Sequence, residues 1–333
     1  MSSYQIIEGD CRIGLKSIAT GSIQTCISSP PYWNLRDYGT AGQIGLEAIP
    51  DCLAWARQEP PCGGCFVCEM RSVYGAELRR ALAADGTVWI NLGDSYTGSR
   101  CGGNSAKITG QSRDEAKKVK ARLREQHGSD TQGLADKNLV GIPWRVGLAL
   151  QADGWILRSD IIWNKPYHAP ESVRDRPTRA HEYILLLSKQ RKYYYDADAI
   201  AEPAAASTIA RAHLGQRPAG PKQLAAEAAG HHQPSERLRV YDRETKNKRT
   251  VWTVPVASYP GAHFATFPPA LILPCVLAGS QPGDTVLDLF NGSGTTGLVA
   301  LQQGRNYVGC ELNPDYITLT HERLRFVQPV FQF

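Results

Sequence analysis

The sequence predicts an α/β protein with one doubly wound, mostly parallel sheet of seven strands and helices on both faces. Two observations predict this fold. Short β-branched or aromatic stretches alternate with helical stretches along the 333 residues, as they do where parallel strands are joined by crossover helices. Most strand stretches end in Gly, Pro, Asn or Asp, residues typical of the edge at which an open α/β sheet binds ligands.

The elements follow from these patterns in chain order. Seven strands are predicted, at Tyr4–Glu8, Ile23–Ser28, Thr87–Leu92, Ile156–Trp163, Glu182–Leu187, Thr285–Phe290 and Tyr307–Glu311. Each is a short run bounded by turn residues. Five helices are predicted between or after them, at Met70–Ala84, Leu139–Ala152, Pro269–Ala278, Thr295–Gln303 and Pro314–Phe326.

The composition excludes several classes of protein. Hydrophobic residues make up 42% of the chain and charged residues 21%, which excludes a mostly disordered chain and a fibrous repeat. No run of eighteen apolar residues occurs, so we expect no membrane span and no membrane partner. The first residues, MSSYQIIEGDCR, lack the layout of a signal peptide, and we expect a cytoplasmic protein.

Positive charge is concentrated in two polar stretches. Between residues 203 and 250, nine Lys or Arg stand against four acids, and between 100 and 126 eight stand against three. Each stretch therefore carries a net charge of +5, as much as the whole chain. Either stretch alone is also typical of a solvated surface loop, but two in one chain favour a polyanionic partner.

A glycine-rich loop near the end of the chain predicts a nucleoside-containing cofactor. Gly292, Gly294 and Gly297 satisfy the spacing G-x-G-x-x-G between a predicted strand and a predicted helix. Glu311 ends the next strand, where an acid can accept hydrogen bonds from two ribose hydroxyls. NAD and S-adenosylmethionine both contain such a ribose, so this pattern leaves both open.

The position of this loop predicts a circular permutation. Only residues 312–333 follow Glu311, enough for one helix, so the remaining strands must come from the start of the chain. Relative to a Rossmann-like sheet, Tyr4–Glu8 then becomes the third strand, with Asp10 at its ligand-facing end. The next strand, Ile23–Ser28, delivers a tetrapeptide to the same edge.

The tetrapeptide Ser29-Pro30-Pro31-Tyr32 is a candidate catalytic element. Its two prolines fix the backbone and remove two N–H donors. Held at a strand end, it offers the Ser29 hydroxyl, carbonyl acceptors and the Tyr32 ring. A proline-rich turn with a packed tyrosine is the alternative, which the nearby cofactor loop disfavours.

On these motifs the sequence resembles the amino-methylating DNA methyltransferases of the permuted (β) group. In that family an (S/D/N)PP(Y/F/W) tetrapeptide precedes the recognition domain and an F-x-G-x-G loop comes last, and Ser29–Tyr32 and Phe290–Gly294 match them. The likeness extends over Ala84–Tyr96, Gly154–Pro166, Arg176–Lys189 and His263–Pro274. It leaves out the two basic stretches and a cysteine-rich insert.

The resemblance implies the chemistry and its residues. A methyl group passes from S-adenosylmethionine to the exocyclic amine of a base flipped out of duplex DNA. The Ser29 hydroxyl and the Pro30 carbonyl accept the amine protons, Pro31 completes the rigid turn, and Tyr32 stacks on the base. The cofactor is held by Asp10, Phe290, Asn291, Gly292, Gly294, Thr295 and Glu311.

The resemblance also implies a division of the chain. Residues 1–200 form the catalytic half, with the cysteine-rich insert 52–68 and the basic loop 100–136. Residues 201–250 form a small target-recognition region, and residues 251–333 form the cofactor-binding half. We expect double-stranded DNA to be bound by basic residues of the recognition region, namely Arg237, Arg239, Arg243, Lys246, Lys248 and Arg249.

The base that is methylated is predicted less directly. In the family, SPPY is mostly found in cytosine-N4 enzymes and DPPY or NPPY in adenine-N6 enzymes, so we favour cytosine N4 and keep adenine N6 as the alternative. A cognate restriction endonuclease is an expected partner. Cytosine-C5 chemistry would need a Pro-Cys nucleophile, and Pro274-Cys275 and Pro61-Cys62 both lie in unsuitable surroundings.

Two rival functions remain at this point. An NAD-dependent oxidoreductase would use the glycine loop but explains neither the permuted order nor the basic stretches. A relative that only binds DNA would not need an intact tetrapeptide and glycine loop.

Cysteine spacing predicts a structural zinc site. Four of the nine cysteines, Cys52, Cys62, Cys65 and Cys68, lie within seventeen residues and include two successive C-x-x-C spacings. Four thiolates can close a tetrahedral zinc site. The alternative is a loop with reduced, metal-free thiols, as expected for a chain without an export signal.

Overall fold

The computed structural model describes residues 2–33, 40–47, 49–97, 134–167, 171–205, 244–256 and 267–327. The chain forms two compact units, one of Met1–Tyr195 with Thr250–Phe333 and one of Asp196–Arg249. The first unit contains the large sheet and the candidate site.

The strands range from two to eleven residues in length. In chain order they are β1 (Tyr4–Glu8), β2 (Ile23–Ser28), β3 (Leu82–Leu92), β4 (Ile156–Asn164), β5 (His181–Ser188), β6 (Glu202–Pro203), β7 (Thr245–Lys246), β8 (Val251–Thr253), β9 (Thr285–Asp288) and β10 (Asn306–Glu311). All seven predicted strands are present.

The large sheet has the permuted order that the glycine loop predicts. Its eight strands run β1-β10-β9-β2-β3-β5-β4-β8. Neighbouring strands are parallel except around β5, which is antiparallel to both β3 and β4. The strand before the glycine loop, β9, therefore lies between β10 and β2. The first and last strands of the chain, β1 and β10, are neighbours at one edge of the sheet. The short β8 adds an eighth strand that the sequence pattern does not predict.

Seven helices accompany the strands in the described part of the chain. They are α1 (Cys11–Gly14), α2 (Phe66–Val73), α3 (Ala76–Ala81), α4 (Ile142–Ala152), α5 (Pro269–Gly279), α6 (Thr295–Gln302) and α7 (Pro314–Leu324). Two 3₁₀ turns, Leu15–Ser17 and Ala54–Arg57, complete the set.

Helices cover both faces of the sheet. The side chain of Ser28 on β2 is hydrogen-bonded to the Tyr74 hydroxyl at the end of α2, at 2.8 Å. On the opposite face of β2, Thr25 lies so close to Gly279 of α5 that a Cβ at Gly279 would be 2.7 Å from its hydroxyl. Because alternate residues of a strand face opposite ways, α2 and α5 lie on different sides, as a doubly wound sheet requires.

The predicted helix Met70–Ala84 is wrong in its extent. The structure has two helices there, α2 and α3, and strand β3 begins at Leu82 instead of Thr87. A Cβ at Gly75 would lie 2.7 Å from the Arg71 carbonyl oxygen, so the chain closes one helix and starts another at a glycine. The predicted Leu139–Ala152 helix likewise begins later, at Ile142, after Gly141 at φ +77°.

The second unit contains one small ladder. Strands β6 and β7 pair in antiparallel fashion, with Glu202 opposite Lys246. Residues 206–243 lie outside the described residues, as do 98–133, and these two ranges contain most of the predicted recognition region and basic loop.

Among the described residues, no helix is both long enough and apolar enough to cross a membrane.

Candidate functional site

A cavity of about 280 Å³ opens in the first unit at the carboxyl ends of β1, β2, β9 and β10. Its lining includes every residue that the sequence predicts for catalysis and for the cofactor except Gly294. The set is Asp10, Ser29, Pro30, Pro31, Tyr32, Phe290, Asn291, Gly292, Thr295 and Glu311. Ligand sites of open α/β sheets lie at this edge, and the permuted strand order brings the two motifs to it.

The glycine loop between β9 and α6 forms one wall of the cavity. Gly292 and Gly294 have φ angles of +53° and +75°, a region that favours glycine. A Cβ at Gly294 would lie 2.8 Å from Thr320 Cγ2, whereas a Cβ at Gly292 would meet only the Phe290 carbonyl oxygen at 3.9 Å. Gly294 thus serves the packing of the protein, and the space above Gly292 is open to a ligand.

Buried side chains fix the shape of this loop. The Asn291 amide donates to the Gly292 carbonyl at 2.9 Å and to the Thr320 hydroxyl at 2.8 Å, and its oxygen accepts from the Tyr307 hydroxyl at 2.8 Å. The Thr295 hydroxyl accepts from Arg323 at 3.0 Å. Through these hydrogen bonds, Asn291 and Thr295 support the conformation of the loop.

Glu311 is anchored at the end of β10 by the backbone. One carboxylate oxygen accepts from the Gly292 N–H at 2.7 Å and the other from the Asn313 N–H at 2.9 Å. Burial raises the pKa of Glu311, and these hydrogen bonds oppose that rise. Each carboxylate oxygen has two lone pairs, so the group can still accept hydrogen bonds from two hydroxyl groups, such as those of a ribose.

Asp10 follows β1 and caps the short helix α1. Its carboxylate accepts from the backbone N–H of Arg12 at 2.8 Å and pairs with the Arg12 guanidinium, which also reaches Glu69 at 2.5 Å. The hydrogen bond from Arg12 lowers the pKa of Asp10. The group therefore stays ionised at the rim of the cavity.

A buried acid lies beneath the loop. Asp288, at the end of β9, is 1% exposed and accepts from the Thr296 hydroxyl at 2.6 Å and from the Phe290 N–H at 3.0 Å. Burial raises the pKa of Asp288 to about 7, against the effect of these two hydrogen bonds. Neither of the two sequence motifs singles out this residue.

The tetrapeptide Ser29–Tyr32 follows β2, the neighbour of β9 in the sheet, and forms a second wall of the cavity. Ser29 donates to the Asn91 side-chain oxygen at 3.4 Å, and the Tyr32 hydroxyl contacts the same oxygen at 2.9 Å and Glu182 at 2.6 Å. A Cβ at Gly93 would lie 2.6 Å from the Tyr32 ring, so the ring is packed against backbone. The ring is thereby held in place from both its edge and its hydroxyl.

Three residues of this wall are not predicted from the sequence. Asn91 lies on β3, Glu182 on β5 and Lys165 directly after β4, and all three line the cavity. Lys165 forms an ion pair with Glu182 and lies 4.2 Å from the centre of the Trp163 ring. The only signal in the sequence is that all three belong to segments that carry the family likeness.

This arrangement defines what the wall can do chemically. Lys165 balances the charge of Glu182, and Glu182 and Asn91 hold the Tyr32 hydroxyl. Because the Ser29 hydroxyl donates to Asn91, its lone pairs remain available to accept a proton from a bound amine. The wall offers acceptors and an aromatic face, and Cys275, of the predicted Pro-Cys pair, is buried within α5.

The four cysteines of the insert are brought together. The sulfur atoms of Cys52, Cys62, Cys65 and Cys68 all lie within 4.8 Å of one another. Burial acts to raise the pKa of Cys62, but hydrogen bonds from the Gly64 N–H and the neighbouring thiols outweigh it and lower that pKa to about 7. The cluster is separate from the residues that line the cavity.

Half of the predicted DNA-binding residues can be located. Lys246, Lys248 and Arg249 lie in the second unit, where all three reach the carboxylate of Glu202, at 3.9, 4.0 and 2.9 Å. Arg237, Arg239 and Arg243 lie outside the described residues. The role of all six in DNA binding stays a prediction.

Known proteins resemble this chain over nearly its whole length. Residues 23–322 match the model of an N6/N4 methyltransferase family described as DNA methylase. The Type II methyltransferase M.SmaI of Serratia marcescens is 43% identical over 325 residues, which cover 97% of this chain and 91% of that protein. M.Cfr9I of Citrobacter freundii, also a Type II methyltransferase, is 41% identical over 98% of this chain and 89% of its own length.

Solved structures share the fold. PvuII DNA methyltransferase, which is specific for cytosine N4, has a TM-score of 0.60 with 18% identity, covering 100% of this chain and 89% of that chain. A DNA modification methylase of Thermus thermophilus, solved with S-adenosyl-L-methionine, has a TM-score of 0.52 with 21% identity, covering 99% of this chain and 97% of that chain. Both likenesses support the methyltransferase fold. The chain belongs to the N6/N4 family of DNA methyltransferases, with Type II methyltransferases among its relatives.

Proposed function

We propose that the protein transfers a methyl group from S-adenosylmethionine to the exocyclic N4 amine of a flipped cytosine in duplex DNA. One observation carries the proposal: Ser29-Pro30-Pro31-Tyr32 and the glycine loop with Glu311 line the same cavity. A base amine held by the first wall would face a cofactor held by the second. Direct transfer between two bound reactants needs this proximity.

The wall formed by the glycine loop and Glu311, the cofactor wall, suits S-adenosylmethionine. When bound, this cofactor supplies a methyl group on a positively charged sulfur, open to in-line attack by an amine. Glu311 would accept the ribose hydroxyls, and the open space above Gly292 would let the backbone approach the ligand closely. Asp10, at the rim, is ionised and can interact with the cationic part of the ligand. The arrangement is the one in which an acid at a strand end binds a ribose.

The tetrapeptide wall suits an amine conjugated to a base ring. The nitrogen lone pair of such an amine is delocalised, so the amine is a weak nucleophile until acceptors draw its protons out of the plane of the ring. In the proposed reaction the Ser29 hydroxyl and the Pro30 carbonyl would accept the two protons. Asn91 would orient the Ser29 hydroxyl for this role, since its side-chain oxygen accepts a hydrogen bond from that hydroxyl at 3.4 Å.

Tyr32 is proposed to hold the flipped base. Extruding a base from a duplex costs a few kcal/mol, and a stack on an aromatic ring contributes about 1–3 kcal/mol per base in single-strand complexes. The bonds of the Tyr32 hydroxyl to Asn91 and Glu182 would fix the ring before the base arrives. A ring already held in place loses little entropy on binding.

Cytosine N4 is preferred to adenine N6 for two reasons. The tetrapeptide begins with serine, as in most cytosine-N4 enzymes of the resembled family, and the PvuII enzyme, which shares the fold, is specific for cytosine N4. Adenine N6 remains the second candidate, because the matched family includes both activities. The chemistry of the wall, two acceptors and a ring, serves either amine.

The relatives suggest the setting of the reaction. They are Type II methyltransferases, so we propose duplex DNA as the substrate and a cognate restriction endonuclease as the functional partner. An enzyme that acts on bacterial DNA works in the cytoplasm, which is where we expect this protein.

Base analysis of DNA tests the proposal directly. The protein is expressed in cells without DNA methyltransferases of their own, and the digested DNA is analysed by chromatography with mass spectrometry. We expect N4-methylcytosine with the wild type and none with Ser29→Ala. N6-methyladenine would overturn the choice of base, and 5-methylcytosine would overturn the mechanism, because that product requires a covalent thiolate nucleophile.

A further inference from the structure

The cysteine cluster has the dimensions of a closed metal site. A zinc ion with four thiolate ligands at about 2.3 Å in a tetrahedron places its sulfur atoms about 3.8 Å apart. The Cys52 and Cys68 sulfur atoms lie 3.6 Å apart, and all four sulfur atoms of the cluster lie within 4.8 Å of one another. Four mutually adjacent sulfur atoms fit the coordination of one metal ion, whereas a disulfide would bring only two sulfur atoms together.

Backbone amides point at two of these sulfur atoms. The Gly64 N–H donates to the Cys62 sulfur and the Cys68 N–H to the Cys65 sulfur, each at 3.4 Å. Gly63, with φ +71°, makes the turn between the first two cysteines of the C-x-x-C-x-x-C run. Hydrogen bonds to a thiolate favour the charged form that a metal requires.

Positive groups lie beside the cluster. Arg57 donates to the Cys52 carbonyl at 3.2 Å, and the nearly buried Arg71 interacts electrostatically with Cys68 while it is hydrogen-bonded to Asp153 at 2.6 and 2.7 Å. Four thiolates around a divalent ion carry a net charge of −2. A neighbouring guanidinium offsets part of that charge, as partly buried anionic groups require.

The insert that bears the cluster is joined to the cavity wall. Ile49 pairs with Cys65 in a parallel bridge, and the Phe66 N–H donates to the Ile49 carbonyl at 3.2 Å. A few residues earlier, the Glu47 carbonyl accepts from the Trp33 indole at 2.9 Å. Trp33 directly follows the tetrapeptide, so the insert supports the chain on which the tetrapeptide lies.

We propose that Cys52, Cys62, Cys65 and Cys68 bind one structural zinc ion, which ties the insert to α2 and thereby steadies the tetrapeptide wall of the cavity. The ion takes no part in methyl transfer, because its ligands lie outside the cavity. Zinc fits better than a hard cation such as Mg²⁺, because thiolate ligands select softer metals. The proposal stands whichever amine the enzyme methylates.

Metal content is the first test. The full-length wild type, prepared without chelator, should contain about one zinc per chain by elemental analysis. Cys62→Ala, at the most exposed of the four positions, should lose it. Cys62→His should retain it, because histidine also serves in structural zinc sites. Cys275→Ala, which removes a buried thiol outside the cluster, is the matched control and should keep the zinc.

Hydrogen exchange tests the structural part of the proposal. In Cys62→Ala the backbone amides of Gly45, Phe66 and Val67 should exchange at least ~10-fold faster than in Cys62→His, and the amides of β10 should be unchanged. A folded wild type without metal, or one that contains iron or a Cys52–Cys68 disulfide, would overturn the zinc site. A zinc site whose loss leaves those amides equally protected would overturn its role in the cavity wall.

Discussion

The two walls of the cavity are built by different means. The core of the cofactor wall is one continuous strand–loop–helix, from β9 to α6, and Glu311 at the end of β10 is joined to it through the backbone, where the Gly292 N–H donates to Glu311. The tetrapeptide wall depends on side chains from three different strands or strand ends, Asn91, Lys165 and Glu182. The first wall can thus be recognised as a motif, whereas the second exists only in the folded sheet.

This difference has a functional consequence. The residues proposed to hold the cofactor differ from those proposed to hold the base amine, so substitutions should affect one without the other. The contrast can be tested by changing each wall and measuring cofactor affinity and methyl transfer independently.

The largest effect is expected from the tetrapeptide. Ser29→Ala removes an acceptor and Tyr32→Ala removes the stacking face, so methyl transfer should fall by at least ~100-fold, as when a transition-state interaction is lost. The Kd for S-adenosylmethionine, measured by calorimetry on the free enzyme, should stay within about twofold of the wild type. Single-turnover assays on DNA give the transfer rate.

Tyr32→Phe is the matched control for this experiment. It keeps the ring and removes only the hydroxyl that contacts Asn91 and Glu182, so its loss of transfer should be much smaller than that of Tyr32→Ala. If Ser29→Ala weakens cofactor binding as strongly as it slows transfer, the two walls do not act separately.

The next largest effect is expected from the cofactor wall. Gly292→Val would place methyl groups in the open space above the loop, and Glu311→Gln would remove the charge and one acceptor for a ribose hydroxyl. Cofactor affinity should fall by about 10–100-fold, or about 1.4–2.7 kcal/mol. Calorimetry measures the affinity, and circular dichroism checks that each variant is folded.

Gly294→Ala separates packing from binding. Its Cβ would lie 2.8 Å from Thr320, so we expect a lower melting temperature as the main effect. Normal affinity in a well-folded Gly292→Val variant would contradict the assignment of this wall to the cofactor.

The pH dependence of stability should trace to Asp288, the buried acid beneath the glycine loop. Folding raises the pKa of the buried Asp288 from 3.8 to about 7, chiefly through burial, so the folded state binds its proton more tightly than the unfolded state. The free energy of unfolding should therefore fall as pH rises from about 4 to about 7, by at most about 1.4 kcal/mol per pH unit from this group. Below about pH 4 the carboxyl is protonated in both the folded and the unfolded state, so this group no longer changes the free energy of unfolding with pH.

Asp288→Asn tests this assignment. It keeps the shape of the side chain and removes the titration, so its stability should depend less on pH between 5 and 7 in urea denaturation. Asp160→Asn, at an exposed position on β4, is the control. Equal pH dependence in wild type and Asp288→Asn would exclude Asp288 as the source.

The smallest effect is expected from the second unit, which belongs to neither wall. Replacing Lys246, Lys248 and Arg249 by Gln should flatten the salt dependence of DNA binding, by about 0.9 in log–log slope for each phosphate that is no longer neutralised. Glu202, which all three approach, offsets part of their charge, so Glu202→Gln should steepen the slope. Transfer at saturating DNA should be unchanged, and an unaltered slope would identify these residues as a solvated cluster.

The sequence predicts the fold well where turn residues bound the elements. Strands β1 and β2 begin and end at the predicted residues, because Gly9-Asp10 and Ser29-Pro30 stop them. The permuted order also follows from the place of the glycine loop. The Met70–Ala84 helix fails, because the pairing of Leu82 with Ile23 in the sheet overrides the local preference of that stretch.

The site divides in the same way. The spacing of the two motifs predicts residues that line the cavity, since each motif is local in the chain. Motif spacing cannot predict the contact among Asn91, Lys165 and Glu182. Their proximity depends on the antiparallel direction of β5 and on the register of β4 and β5. The register of β5 in the folded sheet determines that Glu182, rather than the adjacent Tyr183, contacts Tyr32.

The antiparallel register of β5 limits how this enzyme can diversify. Glu182 pairs with Trp163 and faces the cavity, while Tyr183 lies against Trp144 of α4, with ring centres 5.2 Å apart. Because side chains alternate along a strand, a slip of one residue would exchange the two and put a carboxylate against the helix. Insertions and deletions that shift β5 by an odd number of residues should therefore abolish the enzyme, whereas lineages can vary the loops on either side of that strand in length.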